Sequence, residues 1–343
     1  MSPSQPASPE PATKTSPLTP GYAAPELAYF EGRFVPVGDA SINIRTNGFL
    51  YGTSVFEGIR GYYIAENNSV SIFRLKEHYE RMAANARMCY LLPDEFSGSE
   101  GIARMVNITL ELVARNKPTQ DIYIRPTLYK SGDMVTPTLA QTPSDFCLWT
   151  RPMGDYIDTN RALHVCVSNW RRLGDNSITP RVKAGGAYMN TALAVSDARL
   201  SGFDDAIFLT ESGKVSEGSA MNLFLIKDGT LITPDTRQNI LPGITRNTLI
   251  EIAKRELGVD TIEREIDRTE LYQADEAFFC GTGVQLAPIG KIDHRPIGKH
   301  EKGNQGHTSG QIGELTRQLQ ALYFEVVKNR HLRYASWCSV VQL

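Results

Sequence analysis

No apolar run in this 343-residue chain approaches the ~18 residues that a membrane-spanning helix needs. An excess of one charge is also missing. The 36 Lys and Arg against 38 Asp and Glu leave a formal net charge of -2, which excludes the strongly basic field that gathers nucleic acid. Cysteine is scarce and unpaired in pattern. Cys89, Cys147, Cys166, Cys280 and Cys338 include no Cys-x-x-Cys, which argues against a disulfide framework or a zinc site. It points to reduced thiols and a cytoplasmic setting. The histidines do not fall at metal-ligand spacings, and His300 and His307 lie in a polar stretch, so no metal is expected. No Walker-type phosphate loop occurs. "GTGVQL", 281–286, begins like a dinucleotide fingerprint but carries Leu286 where the third glycine belongs. Residues 1–25 are rich in Pro, Ser and Thr and poor in large apolar groups, so they read as a disordered tail. The tail has no arginine and no apolar core of the ~7 residues that a secretory signal needs.

What is present suits a globular protein with a large core: 41% hydrophobic and 22% charged residues. At ~150 residues per domain the length suggests two domains. Residues 26–150 alternate strand and helix patterns and read as a small α+β domain. "AYFEGRFVPV" suggests two strands around a turn at Glu31-Gly32. The stretch from Arg74 suggests a helix with Leu75, Tyr79, Met82, Ala83 and Ala86 on one face. "GIARMVNITLELVARN" suggests a second, with Ile102, Met105, Val106, Leu110 and Val113 inward. Residues 151–160 read as a connection, and 161–335 as a larger α+β domain. There "ALHVCVSNW" alternates like a half-buried strand. "ITRNTLIEIAKREL" reads as a helix stopped by Gly258, and a last helix is expected from about Gln311.

The candidate chemistry starts at "VKAGGAY", 182–188. Lys183 is either a solvated loop lysine or one that forms a Schiff base with a carbonyl, for which only the neutral amine is a nucleophile. The small residues after it are expected to leave room for a ligand and for the lysine to swing. "LPGITR", 241–246, puts Ile244 and Thr245 at a helix start, where free N–H groups favour a phosphate. "CGTG", 280–283, offers Thr282 and a second candidate anion nest. Arg60 in "FEGIR" is a natural phosphate partner, and Glu217 in "VSEGSAMN" a carboxylate beside a turn. Singly, each has a plain structural reading. Together, a lysine, a carboxylate, an arginine and two anion nests suit pyridoxal 5′-phosphate.

"YGTSVFEGIR", "YIRP", "KAGGAY", "SEG…NLF", "LPGITR" and "GTG…API", in this order, closely resemble the branched-chain-amino-acid aminotransferases. That family is one of the fold-type IV, D-amino acid aminotransferase-like pyridoxal-phosphate enzymes. The resemblance spans about 28–330. It implies a two-domain α+β fold, the cofactor between the domains, and a homodimer or larger homo-oligomer. It makes Lys183 the Schiff-base lysine and proton carrier. Tyr188 would stand near the ring hydroxyl with Arg172 in support, and Glu217 at the pyridine nitrogen. Arg60, Ile244, Thr245 and Thr282 would hold the phosphate. Tyr123 and the backbone of Gly283 and Val284 would receive the substrate carboxylate, and Arg125 the distal carboxylate of glutamate. Phe56, Tyr156 and, from a neighbouring subunit, Tyr51 would line the side-chain pocket. The implied substrates are amino acids and 2-oxo acids.

Two departures bear on substrate choice. Met153 stands where the family often has tryptophan, and "TLYKSGDMVTPTLAQTP" lacks the family's glycine-rich turn. The implied reaction is reversible amino transfer between Leu, Ile or Val and 2-oxoglutarate. The alternatives are a same-fold transaminase for D-amino acids or (R)-amines, an aminodeoxychorismate lyase, or a non-catalytic cofactor carrier. Arg125 after Tyr123 and the "FEGIR" form favour the first reading, and the set of Lys183, Glu217 and Arg60 argues against a carrier.

Overall fold

The computed structural model describes residues 20–154, 161–298 and 312–343. Turn chemistry sets its hairpins. Glu31 and Gly32 have φ of 48° and 76°, which suits a tight link between Leu27–Phe30 and Arg33–Pro36. Asp228 and Gly229, with φ of 48° and 75°, do the same between Asn222–Lys227 and Thr230–Thr233.

The helices are α1 (Asn47–Tyr51), α2 (Leu75–Met88), α3 (Gly98–Asn116), α4 (Tyr188–Leu200), α5 (Ile244–Leu257) and α6 (Glu314–Val327). The inward residues read for α2 are all buried, together with His78. α3 is rotated from its expected face. Met105, Ile108, Thr109, Leu112, Val113 and Asn116 are buried, while Ile102, Val106 and Leu110 pack only at the flank. Buried Thr109 bonds the Tyr79 hydroxyl, and the Asn116 amide donates to Thr150 at 2.9 Å. Polar residues thus sit on the inner line because they are hydrogen-bonded there. α5 has the bounds read from the sequence, with Gly258 at φ 66° as its left-handed cap. α6 starts at Glu314.

Among the described residues the strands form an eight-stranded and a nine-stranded sheet. The first is built by strands between Leu27 and Pro152, with Ile122–Lys130 central and α2 and α3 packed on the same core. Its far edge is Cys338–Gln342, which returns from the end of the chain to pair antiparallel with Ser69–Phe73. The second sheet contains Leu163–Arg171, which pairs in parallel with Asp205–Leu209 and Gln285–Ile292. α5 and α6 close a further core over it, centred on Phe224, Phe278 and Tyr323.

Candidate active site

Lys183 lies between the strand Leu163–Arg171 and α4. The small residues after it serve the chain first. The Gly185 N–H donates to the Ser54 carbonyl at 2.8 Å and the Gly186 N–H to the Gly52 carbonyl at 3.1 Å. A Cβ on Gly185 would stand 2.3 Å from Ser54 Oγ. Gly185 and Gly186 therefore let two backbones touch, while Ala187, the next small residue, lines the cavity beside Lys183. The backbone contact seats Lys183 beside Phe56, whose N–H donates to the Lys183 carbonyl at 3.1 Å. Lys183 Nζ donates to the Tyr188 hydroxyl at 2.9 Å.

Lys183 opens into a cavity of about 600 Å³, within the usual range for small-molecule sites. Tyr188, Glu217, Arg172 and Ile244 line it, as do Thr245 and Thr282. So do Phe56, Tyr123, Arg125, Met153, Gly283 and Val284.

Glu217 is 3% exposed and meets three partners. Arg172 reaches one oxygen at 2.7 Å, while the Asn222 amide and the Leu241 N–H donate to the other at 2.9 and 3.1 Å. Burial pushes its carboxyl upward, and Arg172 and the Leu241 N–H pull the other way. Asn222 also donates to the Leu241 carbonyl at 2.9 Å, so it ties Glu217 to the segment before α5. Gly243 is the N-cap of α5, and no acidic side chain occupies the first turn. The positive end of a 14-residue helix thus faces the cavity without an internal counter-charge.

Arg60 takes another place. It is 2% exposed and is not a lining residue. Its guanidinium donates to the carbonyls of Gly283 and Gly154 at 3.1 and 2.7 Å. It braces the cavity wall from behind, which corrects its expected place at the phosphate. The arginine that does line the cavity near the start of α5 is Arg81, which the sequence reading missed. Its Nη1 donates to the Pro242 carbonyl at 2.8 Å. Its Nε and Nη2 grip Glu57 at 2.8 and 2.6 Å. Its signal was the polar pair His78 and Arg81 interrupting an apolar helix face. Glu57 is fully buried and also meets His78 Nδ1 at 2.8 Å. Burial alone would raise its carboxyl, but Arg81 and His78 outweigh that and hold it well below the usual range.

The opposite wall is aromatic. Arg125 Nε donates to the Tyr123 hydroxyl at 2.8 Å, and the Arg125 guanidinium lies 4.1 Å from the Phe56 ring centre. Tyr51 is exposed on α1, its hydroxyl bonded to the Val135 carbonyl, and does not line this cavity. Tyr156 lies outside the described residues.

Residues 54–292 match the model of the class IV amino-transferases. The chain is 43% identical over 316 residues, 92% of its length and 97% of the relative's, to a probable branched-chain-amino-acid aminotransferase of Aquifex aeolicus. Among solved structures it resembles the branched-chain amino acid aminotransferase of Thermobaculum terrenum in its PLP form. The TM-score is 0.85 at 35% identity, covering 93% of this chain and 99% of that one. It also resembles the branched-chain aminotransferase of the thermophilic archaeon Thermoproteus uzoniensis with norvaline. There the TM-score is 0.83 at 33% identity, covering 92% of this chain and 99% of that one.

Proposed function

The chain belongs to the class IV aminotransferases, and from that premise we propose that it moves the amino group reversibly between a branched-chain L-amino acid and 2-oxoglutarate. The cofactor is pyridoxal 5′-phosphate. The observation that carries the reading is one cavity lined by Lys183, Glu217 and the unneutralised start of α5.

The donor set fits that cofactor. The first turn of α5, Thr282 and the cationic Arg81 suit a phosphate dianion. Glu217, anchored on three sides, suits a protonated ring nitrogen. Among the described residues other than its chain neighbours, no atom lies within 4 Å of where a Cβ on Gly283 would stand, which leaves space at the turn after Thr282. Lys183 would hold the aldehyde end, Glu217 the ring nitrogen and Tyr188 the ring hydroxyl. Arg81, Ile244, Thr245 and Thr282 would hold the phosphate. When bound, the cofactor supplies a ring that withdraws electrons and stabilises negative charge at the substrate α-carbon.

The protein's own part is proton handling and orientation. Lys183 takes the α-proton of the amino donor, and its hydrogen bond to Tyr188 holds the amine on one side of the cavity. Arg172 keeps a cation against Glu217, which favours the ionised carboxylate. Tyr123 and the N–H groups of Gly283 and Val284 take the substrate α-carboxylate. Phe56 and Met153 take the aliphatic side chain, and Arg125 the distal carboxylate of the oxo acid.

Residues 26–150 and 161–335 are proposed as the two domains, with Cys338–Gln342 strapping the second to the first. A homodimer is proposed because Ile44, Phe49 and Val135 are 76%, 63% and 89% exposed, Phe49 shares α1 with Tyr51, and the Tyr51 hydroxyl bonds the Val135 carbonyl. Its five free cysteines favour the cytoplasm. An amino-donor panel with 2-oxoglutarate and pyruvate as acceptors tests the function. Turnover of Leu, Ile and Val with 2-oxoglutarate supports it. Turnover restricted to D-amino acids or (R)-amines overturns it.

A further inference from the structure

A carboxylate buried beside an anion-binding cradle is unexpected, because like charges repel. Glu57 is such a group. Its neighbours Phe56 and Gly58 line the cavity, while Glu57 does not. Its N–H donates to the Pro126 carbonyl at 3.1 Å, which fixes its backbone in the first sheet. Its two oxygens are taken by Arg81 Nε, Arg81 Nη2 and His78 Nδ1 at 2.8, 2.6 and 2.8 Å.

Arg81 has five N–H groups in a rigid plane. Two go to Glu57 and one to the Pro242 carbonyl. One N–H on each terminal nitrogen remains for the cavity. The Pro242 contact registers the guanidinium against the residue before the Gly243 cap. The Glu57 fork stops it from rotating about that contact.

We propose that Glu57 is a positioning residue for the phosphate end of the cofactor. It acts through Arg81, and His78 completes its hydrogen bonds. This rests on the reading of Arg81 and the start of α5 as the phosphate cradle. A long arginine otherwise loses rotamer freedom when it grips a ligand. Glu57 removes that freedom beforehand, and its own charge is cancelled by the same guanidinium.

The test uses the full chain stripped of cofactor. Pyridoxal 5′-phosphate and pyridoxal, which lacks the phosphate, are titrated separately by absorbance. In Glu57→Gln the preference for the phosphorylated form should fall about tenfold, with pyridoxal binding unchanged. An unchanged preference, or an equal loss for both ligands, overturns the inference and leaves Glu57 a structural residue only. Should Glu57→Gln not fold, Glu57→Asp, whose shorter side chain cannot hold the same fork, decides by the same ratio. A wild-type protein with no preference for the phosphorylated form overturns the cradle itself. A wild-type preference that survives in the variants overturns only the role of Glu57.

Discussion

Lys183 Nζ donates to the Tyr188 hydroxyl at 2.9 Å, and the Tyr188 ring leans on Phe56 with ring centres 4.9 Å apart. Packing therefore aims the hydroxyl, and the hydroxyl aims the amine. Tyr188→Phe keeps the ring and deletes the acceptor, so kcat should fall about tenfold, the equivalent of one hydrogen bond. Lys183→Ala should abolish turnover and the covalent attachment. Borohydride reduction of the wild-type holoenzyme, followed by peptide mapping, checks this: the label belongs on Lys183, and a label on another lysine defeats the assignment.

Glu217→Gln keeps the shape but leaves Arg172 facing a neutral amide in a buried site. It also removes the anion that holds a ring proton. The loss of one charge-assisted bond costs about 2 kcal/mol, or roughly 30-fold in rate. Single-turnover kinetics with leucine at saturating cofactor measure it. An unchanged rate means that Glu217 does not touch the ring.

Much of this was legible because local chemistry decided it. α5 is bounded by a loop glycine and by Gly258 in the left-handed region, and both are written in the chain. The outward and inward lines of α3 were misjudged because Thr109 and Asn116 look like surface residues until Tyr79 and Thr150 supply their bonds. The two arginines show the limit more sharply. Arg60 sits in the motif, but its strand turns it to the carbonyls of Gly154 and Gly283. Arg81 reaches the cavity only because α2 packs beside the segment before α5. The polar pair His78 and Arg81 on an apolar helix face marks Arg81 as unusual, but only the packing of α2 shows that it, and not Arg60, arrives.

The same cluster predicts acid sensitivity. Burial pushes the His78 imidazole below its ordinary value. An unfolded histidine binds a proton below about pH 6.5 that buried His78 refuses, so stability should fall as pH drops from there. Glu57 is held low, so its contribution is complete above about pH 4.3 and fades as pH falls through its folded value. His78→Asn keeps a donor for Glu57 and removes the first effect. Its Tm should change less between about pH 6.5 and 5 than that of the wild type. Parallel curves would show that His78 is not the group responsible.

Gly243 has φ of -73°, so any residue could adopt its backbone. Space forbids it: a Cβ there would stand 2.0 Å from Asn222 Oδ1. Gly243→Ala must push Asn222 off Glu217 or move the start of α5. Either change should weaken pyridoxal 5′-phosphate by about tenfold, with little change in KM for leucine once cofactor saturates. Equilibrium titration of the cofactor measures it, and wild-type affinity would show that the clash relaxes without cost.

Arg125 poses the sharpest question of specificity, since one cavity must take both a dicarboxylate and an aliphatic amino acid. An arginine left bare in a dry pocket would penalise leucine. Arg125 is half-buried, and its guanidinium lies 4.1 Å from the Phe56 ring centre and 5.0 Å from that of Tyr123. Its Nε is satisfied by the Tyr123 hydroxyl at 2.8 Å. Two aromatic faces and the solvent therefore compensate the cation when leucine is bound. The terminal nitrogens stay available for a distal carboxylate. Arg125→Ala should raise KM for 2-oxoglutarate by roughly 30-fold, the loss of a charge-assisted pair worth about 2 kcal/mol, and KM for leucine by less than about threefold. Arg125→Lys keeps the charge without the fork and should fall between. Steady-state kinetics of the two half-reactions separate these outcomes. Equal rises for both substrates would place Arg125 at the shared α-carboxylate, and the proposed division of labour with Tyr123 would then be wrong.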